Sequence, residues 1–430
     1  MKTIIKKIIL GILQAEACVI LHKYKPKIIA ITGSVGKTST KDMIYTALSD
    51  FAYVRKSKKS YNSEFGVPLT ILGCQSGWNN PLSWMRTILS GLSLIIFKDR
   101  YPKWLILEVG ADRPNDIRKV ARWVKPDVVV VTRFGDVPVH VEFFNSPDDV
   151  VAEKYQLVKV LKKNGLLVLN ADDEKVLSMR KSIPATVTTY GFSKNAMMRV
   201  SDVAIMYKKD RPVGTTFKVT HEESIMPVRL NCVFGNQYIY PALAALAIGV
   251  HLKINMVKLI ETLENHSGTP GRLKLIEGIK GSSIIDDSYN SSPVAVEAAL
   301  ATFREIKTEG KKIAIFGDML ELGRYTVSEH KKIGVLAGQT CDLLLVVGLR
   351  AKSITEGALL GGISEKNIIE FVDSRQAGKY LESVLGENDI VLIKGSQSMR
   401  MERAVEEIMA HPEKKDELLV RQEPEWLARE

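Results

Sequence analysis

Four groups of residues in this chain have the types and spacing that chemistry needs. The first is Gly33-Ser34-Val35-Gly36-Lys37-Thr38-Ser39. Glycines let backbone N–H groups close around phosphate oxygens. A lysine here reaches the β- and γ-phosphates of a nucleotide, and a threonine hydroxyl is offered to Mg2+. Two residues separate the glycines, a tighter spacing than the general phosphate-loop pattern. The second is Glu108, at the end of an apolar run. It is suited to a divalent cation beside that loop, or is an ordinary strand-end carboxylate. The third is His140, one loop beyond another apolar run, with Lys154 after it; by itself Lys154 reads as a solvated helix lysine. The fourth comprises three polar stretches late in the chain: Asp286-Asp-Ser-Tyr-Asn290, Gly317-Asp318-Met-Leu-Glu-Leu-Gly323 and Lys394-Gly-Ser396-Gln-Ser-Met-Arg400.

The elements around them follow from hydrophobic periodicity. Ile28 to Ile31 is a short buried strand and Ser39 to Leu48 a helix, so the glycines sit in a strand–loop–helix setting. Glu108 closes the strand Trp104–Val109, and Asp127–Thr132 is a Val-rich strand buried on both faces. Lys154 lies in the helix Pro147–Leu161. Strand–helix alternation of this kind predicts an open α/β sheet, and ligands then lie beyond the C-terminal strand ends. Residues 186–230 change to short β-like runs. Alternation restarts after His266-Ser-Gly-Thr-Pro-Gly271, with strands at 283–286, 313–316, 343–347, 368–371 and 390–394. The three late polar stretches each follow one of these strands, on one edge of one sheet. The expected fold class is therefore α/β: a central P-loop ATPase-type domain over residues 28–265 and a C-terminal Rossmann-like doubly wound domain over 266–411. Residues 1–27 are expected to form an amphipathic helix, and 412–430 a charged tail, mobile or helical.

Composition narrows the function. Sixty basic against forty-nine acidic residues give a net charge of +11, which suits anionic ligands or an anionic membrane surface. No nucleic-acid module is visible. Much of the excess is local, at Lys2, Lys6, Lys7, Lys23, Lys25 and Lys27 and at Arg55, Lys56, Lys58 and Lys59. The four cysteines lie far apart with no zinc spacing, as in a reducing cytosol. Residues 82–97 are strongly apolar but contain Arg86 and are short for a bilayer span. With the basic N-terminus they suggest peripheral contact at the inner face of a membrane.

These stretches together resemble the Mur ligases, ATP-dependent amide-forming enzymes of peptidoglycan assembly, and within them the D-alanyl-D-alanine-adding branch. The matching residues run in family order: Thr32 to Ser39 with Lys41, Asn62 to Pro68, Glu108 to Ala111, Asn170 to Asp173, Pro270-Gly-Arg272, Asp286 to Asn290 with Pro293, Gly317 to Gly323 with His330, and Lys394 to Glu402. The resemblance implies a cytoplasmic, monomeric ligase. ATP would phosphorylate an acceptor carboxylate, and an amine such as D-Ala-D-Ala would attack the acyl phosphate. It further implies that Gly33, Ser34, Val35, Gly36, Lys37, Thr38 and Ser39 cradle ATP, with Arg272 and Asn290 holding the nucleotide from the last domain. Thr38, Glu108, His140 and Lys154 would hold Mg2+, Lys154 as a carbamate. Lys37, Lys154 and His140 are the implied catalytic residues. Asn62, Asp318, Lys394, Ser396 and Arg400 are the implied substrate contacts of a muropeptide acceptor and the dipeptide.

Two departures stand out. Only residues 1–27 precede the phosphate loop's strand, where the family carries a UDP-binding domain. UDP recognition is thus expected to be missing or supplied differently. The family's adenine segment, Gly-x-His-Asn-x-x-Asn, reads here Gly235-Asn-Gln237-Tyr238-Ile-Tyr-Pro241. Gln237 can hydrogen-bond a base edge and Tyr238 can stack on it. Two further readings follow: a ligase with a lipid-linked or other non-UDP acceptor, and a nucleotide-binding scaffold without catalysis.

Overall fold

The computed structural model describes residues 3–58, 60–138 and 140–428. Lys2 and Lys59, two of the basic residues counted above, lie outside the described residues. A nine-stranded sheet forms the first half. Its strands are β1 (Lys27–Thr32), β2 (Val54–Lys56), β3 (Trp104–Glu108), β4 (Val128–Val131), β5 (Leu166–Asn170), β6 (Thr186–Gly191), β7 (Met198–Lys208), β8 (Arg211–His221) and β9 (Ser224–Asn231), in the order β2-β3-β1-β4-β5-β6-β7-β8-β9. β2 to β7 run parallel, and β7-β8-β9 add an antiparallel meander.

Alternation of side chains explains why the parallel part is apolar throughout. Ile28, Ala30, Leu105, Leu107, Val129 and Val131 face one helical layer; Ile29, Ile31, Ile106, Val128 and Val130 face the other. The first layer holds α1 (Thr3–Tyr24), α3 (Gly66–Leu72), α4 (Pro81–Ile96), α5 (Asp116–Ala121) and α6 (Pro147–Val158). The second holds α2 (Lys37–Ser49), α8 (Asn236–His251) and α9 (Met256–Glu264). Between them in sequence lies one short helix, α7 (Glu174–Leu177).

A second, six-stranded sheet has the order β10-β11-β15-β12-β13-β14: β10 (Lys274–Glu277), antiparallel, then β11 (Ser283–Asp287), β15 (Ile390–Lys394), β12 (Lys312–Gly317), β13 (Leu343–Val347) and β14 (Ile368–Phe371), parallel. Helices α10 (Pro293–Glu305), α11 (Thr326–Gly338) and α12 (Lys352–Gly361) cover one face, and α13 (Ser374–Val384) and α14 (Glu402–Ile408) the other. Val296, Ala299 and Phe303 of α10 belong to the same apolar core as α8, so the core is continuous between the two halves.

One segment differs from expectation, and the tail takes the helical of its two expected forms. α1 is apolar on both sides rather than amphipathic. Ile9, Leu13, Ala17 and Ile20 pack inward, while Ile4, Ile5, Ile8, Ile12 and Val19 are exposed. The charged tail is ordered by packing. Short helices α15 (Lys415–Leu418) and α16 (Pro424–Leu427) fold back on the second sheet, with Leu419 in its core.

Candidate active site

β1 ends at Thr32 beside β4, and β3 ends at Glu108 paired to Ile31. The phosphate loop and Glu108 therefore emerge on one sheet edge. The loop is pinned by Ser34 and Val35 N–H groups donating to the Arg133 carbonyl at 2.8 and 3.2 Å. Thr132 Oγ1 donates to the Val35 carbonyl at 2.6 Å. Gly33 needs to be glycine: an added Cβ would lie 2.0 Å from Thr132 Oγ1, with φ at +139°. Gly36 turns the chain into α2 at φ +85°. Lys37 Nζ folds onto the Gly33 and Ser34 carbonyls at 2.8 and 3.2 Å. Burial holds its ammonium below the usual lysine range, opposed by Glu108 and reinforced by Arg272.

Thr38 Oγ1 stands 3.1 Å from both Glu108 carboxylate oxygens and 2.6 Å from Ser60 Oγ. Lys41, fully buried, lies 3.9 Å from Glu108. Lys154 rides on α6, which starts at a capping Ser146 with Pro147 at its first position. Its neighbour Glu153 accepts from the Ile117 and Arg118 N–H groups at the start of α5. Lys154 is thus buried without a carboxylate bonded to its amine among the described residues. Burial, with the Lys37 charge added, pulls its pKa from 10.5 to about 7. His140 sits in a left-handed turn (φ 67°). Its Nδ1 is 2.5 Å from Glu321 of the C-terminal half and its Nε2 3.4 Å from Asp112. The Glu321 carboxyl is held below its usual range by that histidine.

The two halves meet over a cavity of about 490 Å³. From the central half it is lined by Ser34, Gly36, Lys37, Thr38, Asn62, Glu108, His140 and Lys154, and from the other half by Arg272, Asn290, Glu321, Ser396 and Gln397. Arg272 bridges them, with Nη2 3.3 Å from Thr38 Oγ1 and its guanidinium 4.0 Å over the Tyr289 ring. Val35, Ser39 and Gln237 line smaller pockets that adjoin on the α8 side. Both Gln237 amide atoms and Ser34 Oγ are buried without partners among the described residues, as is Arg272 Nε. These orphaned groups and the glycine cradle fit a nucleotide. Glu108, Thr38 and His140 line the cavity with oxygen and imidazole donors of the type a divalent cation takes, and a carbamate on Lys154 would add a carboxylate-like one; among the described residues no three His, Cys, Asp or Glu side chains are already gathered for a metal.

Asp318 and Arg400, two of the expected substrate contacts, stand behind the wall, and Lys394 lines only a smaller adjoining pocket. Asp318 accepts from Ala351 N at 2.7 Å, which turns it into its own domain. Lys394 pairs with Asp287 at 2.7 Å and donates to the Asn290 carbonyl at 2.8 Å, supporting the Asn290 loop from beneath. Arg400 binds Glu402 at 2.5 Å. Tyr238 is buried, and its hydroxyl donates to the Arg272 carbonyl at 2.6 Å, so it braces Arg272 rather than presenting a stacking face. Sequence reasoning missed Ser60, Asp112, Tyr289, Glu321 and Trp426, which all line the cavity. Tyr289 and Glu321 lie inside motifs already singled out and Asp112 directly follows one, so position just past a strand end was the available signal. Trp426 gave none.

Residues 31–249 match the family model of the Mur ligase middle domain, and residues 271–397 that of the Mur ligase glutamate ligase domain. The chain belongs to the Mur ligase family. A Bacillus subtilis relative named UDP-N-acetylmuramoyl-tripeptide–D-alanyl-D-alanine ligase is 26% identical over 93% of this chain and 79% of its own length. The Escherichia coli enzyme of that name is 26% identical over 88% of this chain and 76% of its length. Among solved structures, a MurF ligase from Thermotoga maritima in complex with ADP superposes with a TM-score of 0.76 at 26% identity, covering 94% of this chain and 84% of that one. The family resemblance, the α/β fold class and the likeness to D-Ala-D-Ala-adding ligases read from the sequence are borne out.

Proposed function

We propose that this chain is an ATP-dependent amide ligase that joins a D-Ala-D-Ala-type amine to the carboxylate of a muropeptide acceptor. The observation that carries this reading is convergence. The phosphate loop, Glu108, His140 and Lys154 from one half share a single cavity with Arg272, Asn290, Glu321 and Ser396 from the other. Lys37 and the loop amides bind the transferring phosphoryl group, and Arg272 neutralises its charge from across the cleft. Gln237 offers donor and acceptor to a base edge. Mg2+ held by Thr38 and Glu108 would neutralise the phosphate oxygens and orient them. The acceptor carboxylate takes the γ-phosphoryl group of ATP and ADP leaves; the amine then adds to the carbonyl carbon and inorganic phosphate departs as the amide forms. Lys154, poised near neutrality and close to Lys37, is suited to add CO2 through its free amine, releasing a proton and becoming a negative carbamate.

A cytoplasmic enzyme at the inner membrane face is the location the surface favours. Outside α1, Ile4, Ile8, Ile12 and Val19 form a stripe, and outside α4, Leu82, Met85, Leu89, Leu92 and Ile96 form another. Exposed Lys6, Lys7, Arg86 and Lys98 accompany them, which complements an anionic lipid surface. No described helix is long and apolar enough to cross a membrane.

The test is ADP release measured with ATP, Mg2+, UDP-N-acetylmuramoyl-tripeptide and D-Ala-D-Ala. Release that requires both carbon substrates and disappears in Lys37→Ala supports the ligase. Nucleotide binding without substrate-dependent release supports the scaffold instead. Co-sedimentation with phosphatidylglycerol vesicles at low salt tests the location, and protein left in the supernatant removes it.

A further inference from the structure

The tail from residue 412 onward lies beyond the residues that the family model matches, yet it reaches the active cavity. Leu419 anchors it in the second core. Arg421, buried, donates to Glu402 at 2.7 Å and to the Ser288 and Tyr289 carbonyls, immediately before Asn290. Five residues on, Trp426 forms part of the cavity wall. Its ring stands 5.6 and 5.7 Å from the Arg400 and Arg421 guanidinium carbons, and its carbonyl accepts from Arg400 at 2.9 Å. From Arg272, which donates to Thr38, a ladder of cation–ring contacts therefore runs through Tyr289 and Arg421 to Trp426.

Across the cleft Trp426 meets Trp78 of the central half edge to face, with centroids 5.9 Å apart. The Trp78 loop is braced: Trp84 Nε1 donates to the Trp78 carbonyl at 2.9 Å, and Ser76 N donates to the Tyr61 hydroxyl at 3.0 Å, next to Asn62. Trp426 and Asn62 line the same cavity from opposite halves. Trp426 is absent from the lining of the Gln237 pockets, whereas Arg272 and Asn290 line both the cavity and one of them. It lies away from the base end of the nucleotide. A dipeptide of two alanines offers two methyl groups to a ring face. A sugar–peptide offers a broad C–H surface of the kind that indole rings cover well.

We propose that Trp426 is an acceptor-binding residue, and that the acceptor, a sugar–peptide bearing a free carboxylate, lies between Trp426 and the Asn62 loop. This rests on the ligase reading and names the substrate that the tail contacts. Arg421 is a positioning residue that fixes both the Asn290 loop and the Trp426 ring.

The experiment compares the unaltered chain, Trp426→Ala and Trp426→Phe in steady-state assays that vary UDP-N-acetylmuramoyl-tripeptide, D-Ala-D-Ala and ATP in turn. The Ala variant raises KM for the tripeptide about tenfold or more and leaves KM for ATP and the dipeptide within about twofold. The Phe variant restores most of the loss. An unchanged tripeptide KM, or a rise confined to the dipeptide, overturns the proposal. Product from the unaltered chain separates that failure from failure of the ligase reading. Fluorine NMR of 5-fluorotryptophan-labelled protein gives a readout without turnover, with Trp426 assigned through Trp426→Phe. The Trp426 resonance moves with UDP-N-acetylmuramoyl-tripeptide and not with D-Ala-D-Ala; a resonance indifferent to the tripeptide also overturns it.

Discussion

Replacing Lys154 by Met separates stability from activity. The amine is buried, and its pKa falls from 10.5 to about 7, chiefly through desolvation. At about 1.36 kcal/mol for each tenfold step in proton affinity, that fall represents about 5 kcal/mol against burying the ammonium. The folded value lies below the unfolded one. The penalty is therefore complete below about pH 7 and fades as pH rises toward 10.5. Methionine fills similar volume without charge, so Lys154→Met gains about 2–4 kcal/mol at pH 7 once imperfect packing is subtracted. The gain shrinks by pH 9. The same burial matters for chemistry. At about pH 7.5 roughly three-quarters of the amine is neutral, against about one part in a thousand at the ordinary value. The neutral form is the one that adds CO2. Urea unfolding of both proteins in CO2-free buffer at the two pH values measures the gain, and added bicarbonate stabilises the lysine form alone. A Met variant that is less stable at pH 7, or one that still ligates, refutes this reasoning.

Other perturbations have equally definite outcomes. Gly33→Ala drives a Cβ into Thr132 Oγ1, so nucleotide affinity measured by calorimetry falls at least about 100-fold while the C-terminal half keeps its fold. Arg421→Ala leaves Glu402, 1% exposed, with one of its two guanidinium partners missing; chemical denaturation should register a loss of about 3 kcal/mol. His266 is buried with its pKa lowered to about 4 by desolvation, below its unfolded value. Stability is therefore lost as pH drops from about 6.5 toward 4, by up to about 3 kcal/mol, and His266→Gln flattens that acid limb in thermal scans.

The sequence made some of this legible and hid the rest for identifiable reasons. The phosphate loop was readable because its glycines, lysine and threonine fall between a doubly buried strand and a helix. Asp318 and Arg400 were placed on the correct sheet edge, but position at a strand end does not say where a side chain points. The Ala351 N–H and Glu402 draw them away from the cavity. Lys154 read alone looked solvated, since periodicity cannot reveal that Glu153 turns to cap α5 and leaves its neighbour without a carboxylate. The α1 stripe on both faces broke the amphipathic rule because one side packs on the sheet and the other is exposed. Trp426 carried no local signal: its contacts with Trp78, Arg400 and Arg421 arise only when the tail folds back.

Isotope transfer tests the central claim most directly. The chain is incubated with ATP, Mg2+, D-Ala-D-Ala and UDP-N-acetylmuramoyl-tripeptide whose reacting carboxylate carries two 18O atoms, and products are read by mass spectrometry. Ligation through an acyl phosphate gives a product longer by two alanines that keeps one 18O, and inorganic phosphate that carries the other. Phosphate without 18O, or ATP cleavage with no lengthened product, would contradict the assignment of this cavity to amide-bond formation.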